Sequence, residues 1–169
     1  EPQPDGSIWL RDEAHVTLPD RPESRVVLDA LRDSWCAVEL AGDFTSVAWR
    51  KLLQNAVAGF MVLTGRRSGM FTRPDIAELA LAYLRECLTV ARAEGAVLGD
   101  DVPQQIVEVF QTSPADMSSS ILADREAGRP LEWDIRNGVM QRRGRAHGIA
   151  TPISDVLVPL LAASSDSPA

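Results

Sequence analysis

The chain has 169 residues, 45% of them hydrophobic, and a formal net charge of −7 at pH 7. This length and apolar content support a buried core and exclude a disordered chain. The acidic balance argues against a nucleic-acid surface; no apolar run is long enough to span a bilayer without charges and no secretory leader is visible, so a cytoplasmic protein is expected.

The first residues, EPQPDGSIWLRDEAHVTLPD, carry no initiator Met and read as the middle of a longer protein. SIWLRD and HVTLP read as short strands. RPESRVVLDALRDSW reads as a helix, with Pro22 near its start and Val26, Val27, Ala30 and Leu31 on one side. CAVELAG reads as another strand. Residues 1–43 are too few for a core of their own and are expected to be the end of a larger α/β domain.

From Phe44 the periodicity is helical. Helices are expected over Thr45–Leu63, stopping near Gly65, and over Pro74–Glu94, with Thr72 or Arg73 as cap and Gly95 as stop. In the second, Ile76, Leu79, Ala80, Tyr83, Leu84, Cys87, Leu88 and Ala91 recur at three- and four-residue spacing, which marks a buried face. Further helices are expected over Pro103–Gln111 after Asp101, from Ser118–Ser120 to Gly128, over Leu131–Ala146 before Gly148, and over Pro152–Ala163. Residues 44–163 thus read as a mainly α domain of about six helices, followed by a loose tail at 164–169. Trp9, Trp35, Trp49 and Trp133 are expected in cores. Cys36 and Cys87 are expected as buried reduced thiols, and the isolated His15 and His147 give no metal-ligand spacing.

Two constellations carry possible chemistry. In WRKLLQNAVAG, Lys51, Asn55 and Gly59 form a line at four-residue spacing on an otherwise apolar helix. Lining a closed pocket, Lys51 would act as a proton donor or as an anchor for a developing alkoxide. Alternatively, Lys51 and Asn55 join Arg50 and Gln54 in a solvent stripe. In SSSILADREAGRPLEWDIRNG, Ser120 opens a helix where a carboxylate could bind, and Glu132 lies between Leu131 and Trp133 at the next helix start. Each also has a purely structural reading, as a cap or a first-turn acid. The basic segment RNGVMQRRGRAHG reads as a solvated helix face.

WRKLLQNAVAGFMVLTG, SSSILADREAGRPLEWDIRNG and RAHGIATP, in this order, resemble the C-terminal domain of ketopantoate reductases (2-dehydropantoate 2-reductases) from about Phe44 to Leu161. The residues before Phe44 are similar to the end of that family's N-terminal nucleotide-binding domain. The resemblance implies a 6-phosphogluconate dehydrogenase-like helical domain behind a Rossmann remnant, serving reduction of ketopantoate by NADPH on the route to pantothenate. It implies that Lys51 donates a proton to the alkoxide or stabilises it. It implies that Glu132 binds the substrate hydroxyl and the lysine network, and that Asn55 and Ser120 hold substrate oxygens.

Three departures stand out. Gly59 replaces a second asparagine and Met117 a polar residue, which points to a different or less polar 2-keto acid. No Gly-x-Gly-x-x-Gly follows a strand, so NADPH would be bound by an absent domain and this chain alone would be inactive. A lone domain of this kind is also expected to expose an apolar face through which a homodimer could form. The competing reading is a non-catalytic helical interaction module.

Overall fold

The computed structural model describes residues 5–8 and 14–165. The chain divides into two compact units, Glu1–Val47 and Ala48–Ala169.

In the first unit, strands β1 (Ala14–Pro19) and β2 (Cys36–Ala41) run parallel, with Ala14 opposite Cys36 and Pro19 opposite Ala41. Helix α1 (Pro22–Leu31) makes the crossover that a parallel pair requires. Its buried residue is Ser24, with Leu28 and Leu31 partly covered. Of the residues placed on one side of it, Val26 and Val27 are 70% and 42% exposed and Leu31 is partly covered. Trp35, expected in a core, is 66% exposed. Among the described residues of this unit, two strands and one helix supply no second layer to cover these side chains. Cys36 is only partly buried. The strand expected over Ser7–Asp12 falls largely outside the described residues, and Trp9 lies wholly outside them.

Helix α2 (Phe44–Val57) is followed by α3 (Gly59–Thr64), a 3₁₀ turn (Ser68–Thr72), α4 (Pro74–Ala93) and α5 (Val102–Thr112). Then come α6 (Ser120–Glu126), a π turn (Asp134–Gly138), α7 (Val139–Ala146) and α8 (Pro152–Ser165). Asp43 starts α2 by accepting from Ser46 N at 3.1 Å and Ser46 Oγ at 2.5 Å. These bonds hold its carboxyl below the usual range. At the end of α4, Gly95 takes φ +91°, a left-handed conformation that glycine reaches without a Cβ penalty.

The single helix expected over Thr45–Leu63 is broken at Ala58, where Met61 N donates to Ala58 O at 3.0 Å, a tighter spacing than the α-helix. Gly59 opens α3 against Asn137 and Leu161. A Cβ there would stand 3.1 Å from Asn137 Nδ2 and 3.1 Å from Leu161 Cδ1. The helix expected from Leu131 begins instead with a π turn, in which Val139 N–H reaches back to Asp134 O. The tail expected from residue 164 is partly helix, since α8 continues to Ser165, whose Oγ accepts from Leu131 N at 2.9 Å.

The core of the second unit gathers Leu53, Val57 and Phe60 with Tyr83, Leu84 and Cys87 of α4, Phe110, Ile121, Met140 and Leu161. Phe60 stacks on Tyr83 at 5.7 Å and Phe71 on Phe110 at 4.6 Å. Along α4 the expected apolar face is buried from Ala80 to Ala91, whereas nearer its start Ile76 is partly buried and Leu79 is 43% exposed. Trp49 and Trp133 are partly buried against this core. Glu86 of α4 holds the first turn of α8, accepting from Ile153 N at 2.8 Å, Ser154 N at 2.9 Å and Ser154 Oγ at 2.6 Å. A carboxylate here satisfies orphan donors at the positive end of the helix.

Candidate active site

A groove of about 220 Å³ is walled on one side by Lys51, Gln54, Asn55 and Ala58. These positions stand at i, i+3, i+4 and i+7, the spacing of one helix face. The face predicted from sequence ran through Gly59. The break at Ala58 ends that line, and Gly59 is buried against Asn137 instead of opening space beside Asn55. The Lys51 side chain is exposed and makes no hydrogen bond or ion pair among the described residues, while Asn55 is half-buried. The helix is therefore not apolar all round: its polar stripe is the groove wall.

The opposite wall is Phe110 of α5 with Met117, Ser118, Ser119 and Ser120, and Arg136 lies on the π turn. The stretch before α6 is pinned from behind. Ser68 N donates to Met117 O at 3.0 Å, Gly69 N to Ala115 O at 3.0 Å, and Ser68 Oγ to Pro114 O at 2.7 Å. Gly69 is required by this approach, because a Cβ would lie 2.9 Å from that of Ala115. Ser119 is the N-cap of α6, its Oγ accepting from Leu122 N at 3.4 Å. Ser120 is thereby left free of capping, and its Oγ accepts from Arg136 Nη2 at 3.1 Å.

Of the residues singled out in the sequence, Lys51, Asn55 and Ser120 line this one groove. Glu132 does not line it. Its Oε2 accepts from Arg136 Nη2 at 2.6 Å and Nε at 3.2 Å, so Glu132 connects with the groove through that guanidinium. Arg136 and Asn137 are the residues that sequence reasoning missed. The available signal for Arg136 was its four-residue spacing from Glu132, the spacing of a helical ion pair. The solvated reading of the basic segment holds for Arg142, Arg143 and Arg145, whose side chains are more than half exposed, whereas that of Arg136 is 11% exposed.

Asn137 is fully buried and ties the π turn to the groove's helix. Its Nδ2 donates to Ala56 O at 2.8 Å and to Tyr83 Oη at 3.0 Å. Burial pushes the Tyr83 phenol well above its ordinary value and raises the Cys87 thiol beside it. The lining of the groove carries two cations, Lys51 and Arg136, and no carboxylate. In a chain of net charge −7 this is a local field of opposite sign, suited to an anion. Hydroxyls and amides supply donors, and Phe110, Met117 and Ala58 supply an apolar side.

The family profile of the ketopantoate reductase PanE/ApbA C terminus matches residues 43–165. The chain belongs to the ketopantoate reductase family. The profile span contains Lys51, Asn55, Ser120 and Glu132. The chain is 58% identical over 168 residues to a 2-dehydropantoate 2-reductase of Mycobacterium tuberculosis, covering 99% of this chain and 57% of that protein. It is 34% identical over 160 residues to the 2-dehydropantoate 2-reductase of Caulobacter vibrioides, covering 95% and 55%. Among solved structures, the dimeric ketopantoate reductase of Staphylococcus aureus superposes with a TM-score of 0.84 at 27% identity, over 92% of this chain and 55% of that one. The chain thus spans little more than half the length of these ketopantoate reductases. No helix among the described residues is long and apolar enough to cross a membrane.

Proposed function

We propose that this chain is the substrate-side helical domain of an NADPH-dependent reductase that converts 2-dehydropantoate (ketopantoate) to pantoate on the route to pantothenate. The observation that carries the reading is the convergence of Lys51, Asn55 and Ser120 on one groove with cations and no acid in its lining. A 2-keto acid is an anion with oxygens on adjacent carbons, and it needs a positive, donor-rich cleft. Hydride addition at the keto carbon generates an alkoxide. The Lys51 ammonium gives its proton to that oxygen and, being exposed, is recharged from water. The Asn55 amide and the Ser120 hydroxyl hold substrate oxygens. Glu132 stands behind Arg136 with Oε1 uncommitted among the described residues, and we assign it to the hydroxyl of a substrate that reaches past that guanidinium.

NADPH would supply the hydride. The described residues do not fit a dinucleotide. The turn from β1 into α1 is Asp20–Arg21, without glycine, and α1 opens on Pro22 and Glu23. The proline removes an N–H donor and the glutamate places a negative charge where a pyrophosphate would sit. No cofactor step is therefore assigned to this chain, and the 169 residues alone are expected to be inactive.

The test is ketopantoate-dependent oxidation of NADPH by the full-length protein. Lys51→Ala is expected to lower kcat by roughly 10²- to 10⁴-fold. An unchanged rate would overturn the assignment. Phe110 and Met117 in the lining favour one second reading, reduction of a less polar 2-keto acid. A series of 2-keto acids with longer or aromatic side chains separates the two.

A further inference from the structure

We infer that Arg136 recognises the substrate carboxylate and so fixes which way round a 2-keto acid lies in the groove. The inference rests on the reductase reading above. Two cations line the groove, and they differ in kind. Lys51 is exposed, on a flexible stem, and unpaired among the described residues. Arg136 is 11% exposed and its guanidinium is already oriented, with Nε and Nη2 on Glu132 Oε2 and Nη2 also on Ser120 Oγ.

These bonds engage one edge of the guanidinium. Nη1 has no partner among the described residues, which leaves N–H donors for a second acceptor. A planar fork held by one carboxylate and presented to a groove without acids is the geometry that binds another carboxylate through paired, charge-assisted hydrogen bonds. Ser120, 3.1 Å from Nη2, adds a hydroxyl at the same end of the groove. A carboxylate placed there leaves the neighbouring keto oxygen to Lys51, the other cation of the lining, so anchoring and proton transfer fall to different cations.

The test compares a 2-keto acid with its uncharged 2-keto amide in the full-length protein. Binding is followed by calorimetry and reduction by KM and kcat. Arg136→Met is expected to raise KM for the acid by roughly 10- to 100-fold, with kcat changed less than threefold. Binding of the amide should change little, so the acid-to-amide preference collapses. Arg136→Lys keeps the charge but not the fork and should fall between.

A wild-type preference that survives in Arg136→Met, or equal losses for acid and amide, would overturn the inference and leave the reductase reading standing. A wild-type protein that neither binds nor reduces any 2-keto acid would overturn both. Unfolding midpoints of the variants report any loss of fold. Glu132 is half-exposed, so removing its partner leaves no buried charge behind.

Discussion

Replacing Asn137 with alanine tests the link between the π turn and the groove's helix. The amide orientation is fixed by Ala56 O, which can only accept, so Nδ2 must face it. Two buried hydrogen bonds are lost, each contributing about 1 kcal/mol net, and Ala56 O is left without this donor at a further cost of about 1–3 kcal/mol. Against these losses, Asn137 Oδ1 is itself buried without a partner, and its removal returns about 1 kcal/mol. The expected net destabilisation is about 2–4 kcal/mol. Urea denaturation followed by far-UV circular dichroism measures it as a lower midpoint at unchanged slope. The same pair of contacts predicts coupling. Gly59→Ala brings a Cβ to 3.1 Å from Asn137 Nδ2 in the wild type, a conflict that Asn137→Ala removes, so the two substitutions should be non-additive. A loss under about 0.5 kcal/mol together with strict additivity would refute the reasoning.

Glu86→Ala removes the acceptor of three donors at the start of α8 and should cost about 1–3 kcal/mol; a midpoint equal to wild type would refute the cap. Alkaline pH should also unfold the protein. Tyr83 and Cys87 stay neutral in the folded state because burial raises both, whereas the unfolded chain loses their protons near the ordinary values of 10.0 and 9.0. The unfolded state then binds fewer protons, so this stability is full below pH 9 and falls above it. The slope should be about 1.4 kcal/mol per pH unit per group, steepening as the tyrosine joins in. Denaturation between pH 8 and pH 10.5 should show the loss, and Cys87→Ala should reduce the slope just above pH 9.

Much of the helical domain was legible because its signals are local. Pro74 and Gly95 bracket α4, and the apolar spacing between them places Tyr83, Leu84 and Cys87 in the core. The break at Ala58 was not legible. FMVL continues the apolar pattern without interruption, and the Asn137 that packs against Gly59 comes from 81 residues beyond the Ala56 it bonds. Extending the line Lys51–Asn55 to Gly59 assumed a continuous helix, and that assumption misplaced Gly59. Lys51, Asn55 and Ser120 could be picked out as polar residues in apolar stretches, and the structure places them on one groove. Arg136 was passed over among its solvated basic neighbours, from which only its four-residue spacing from Glu132 set it apart. Trp35 was misread for a related reason: hydrophobicity marks a side chain that needs cover, not one that this chain covers.

The π turn has a consequence for inheritance. Residues Asp134–Gly138 hold one residue more per hydrogen-bonded loop than an α-helix would. A single deletion there would rotate the following side chains by about 100° relative to those before. Glu132 and Arg136 would then no longer meet, and Asn137 would leave Ala56. Point changes in this stretch act one side chain at a time, whereas a change of length disrupts both ties together. What descent has to preserve here is first of all a count.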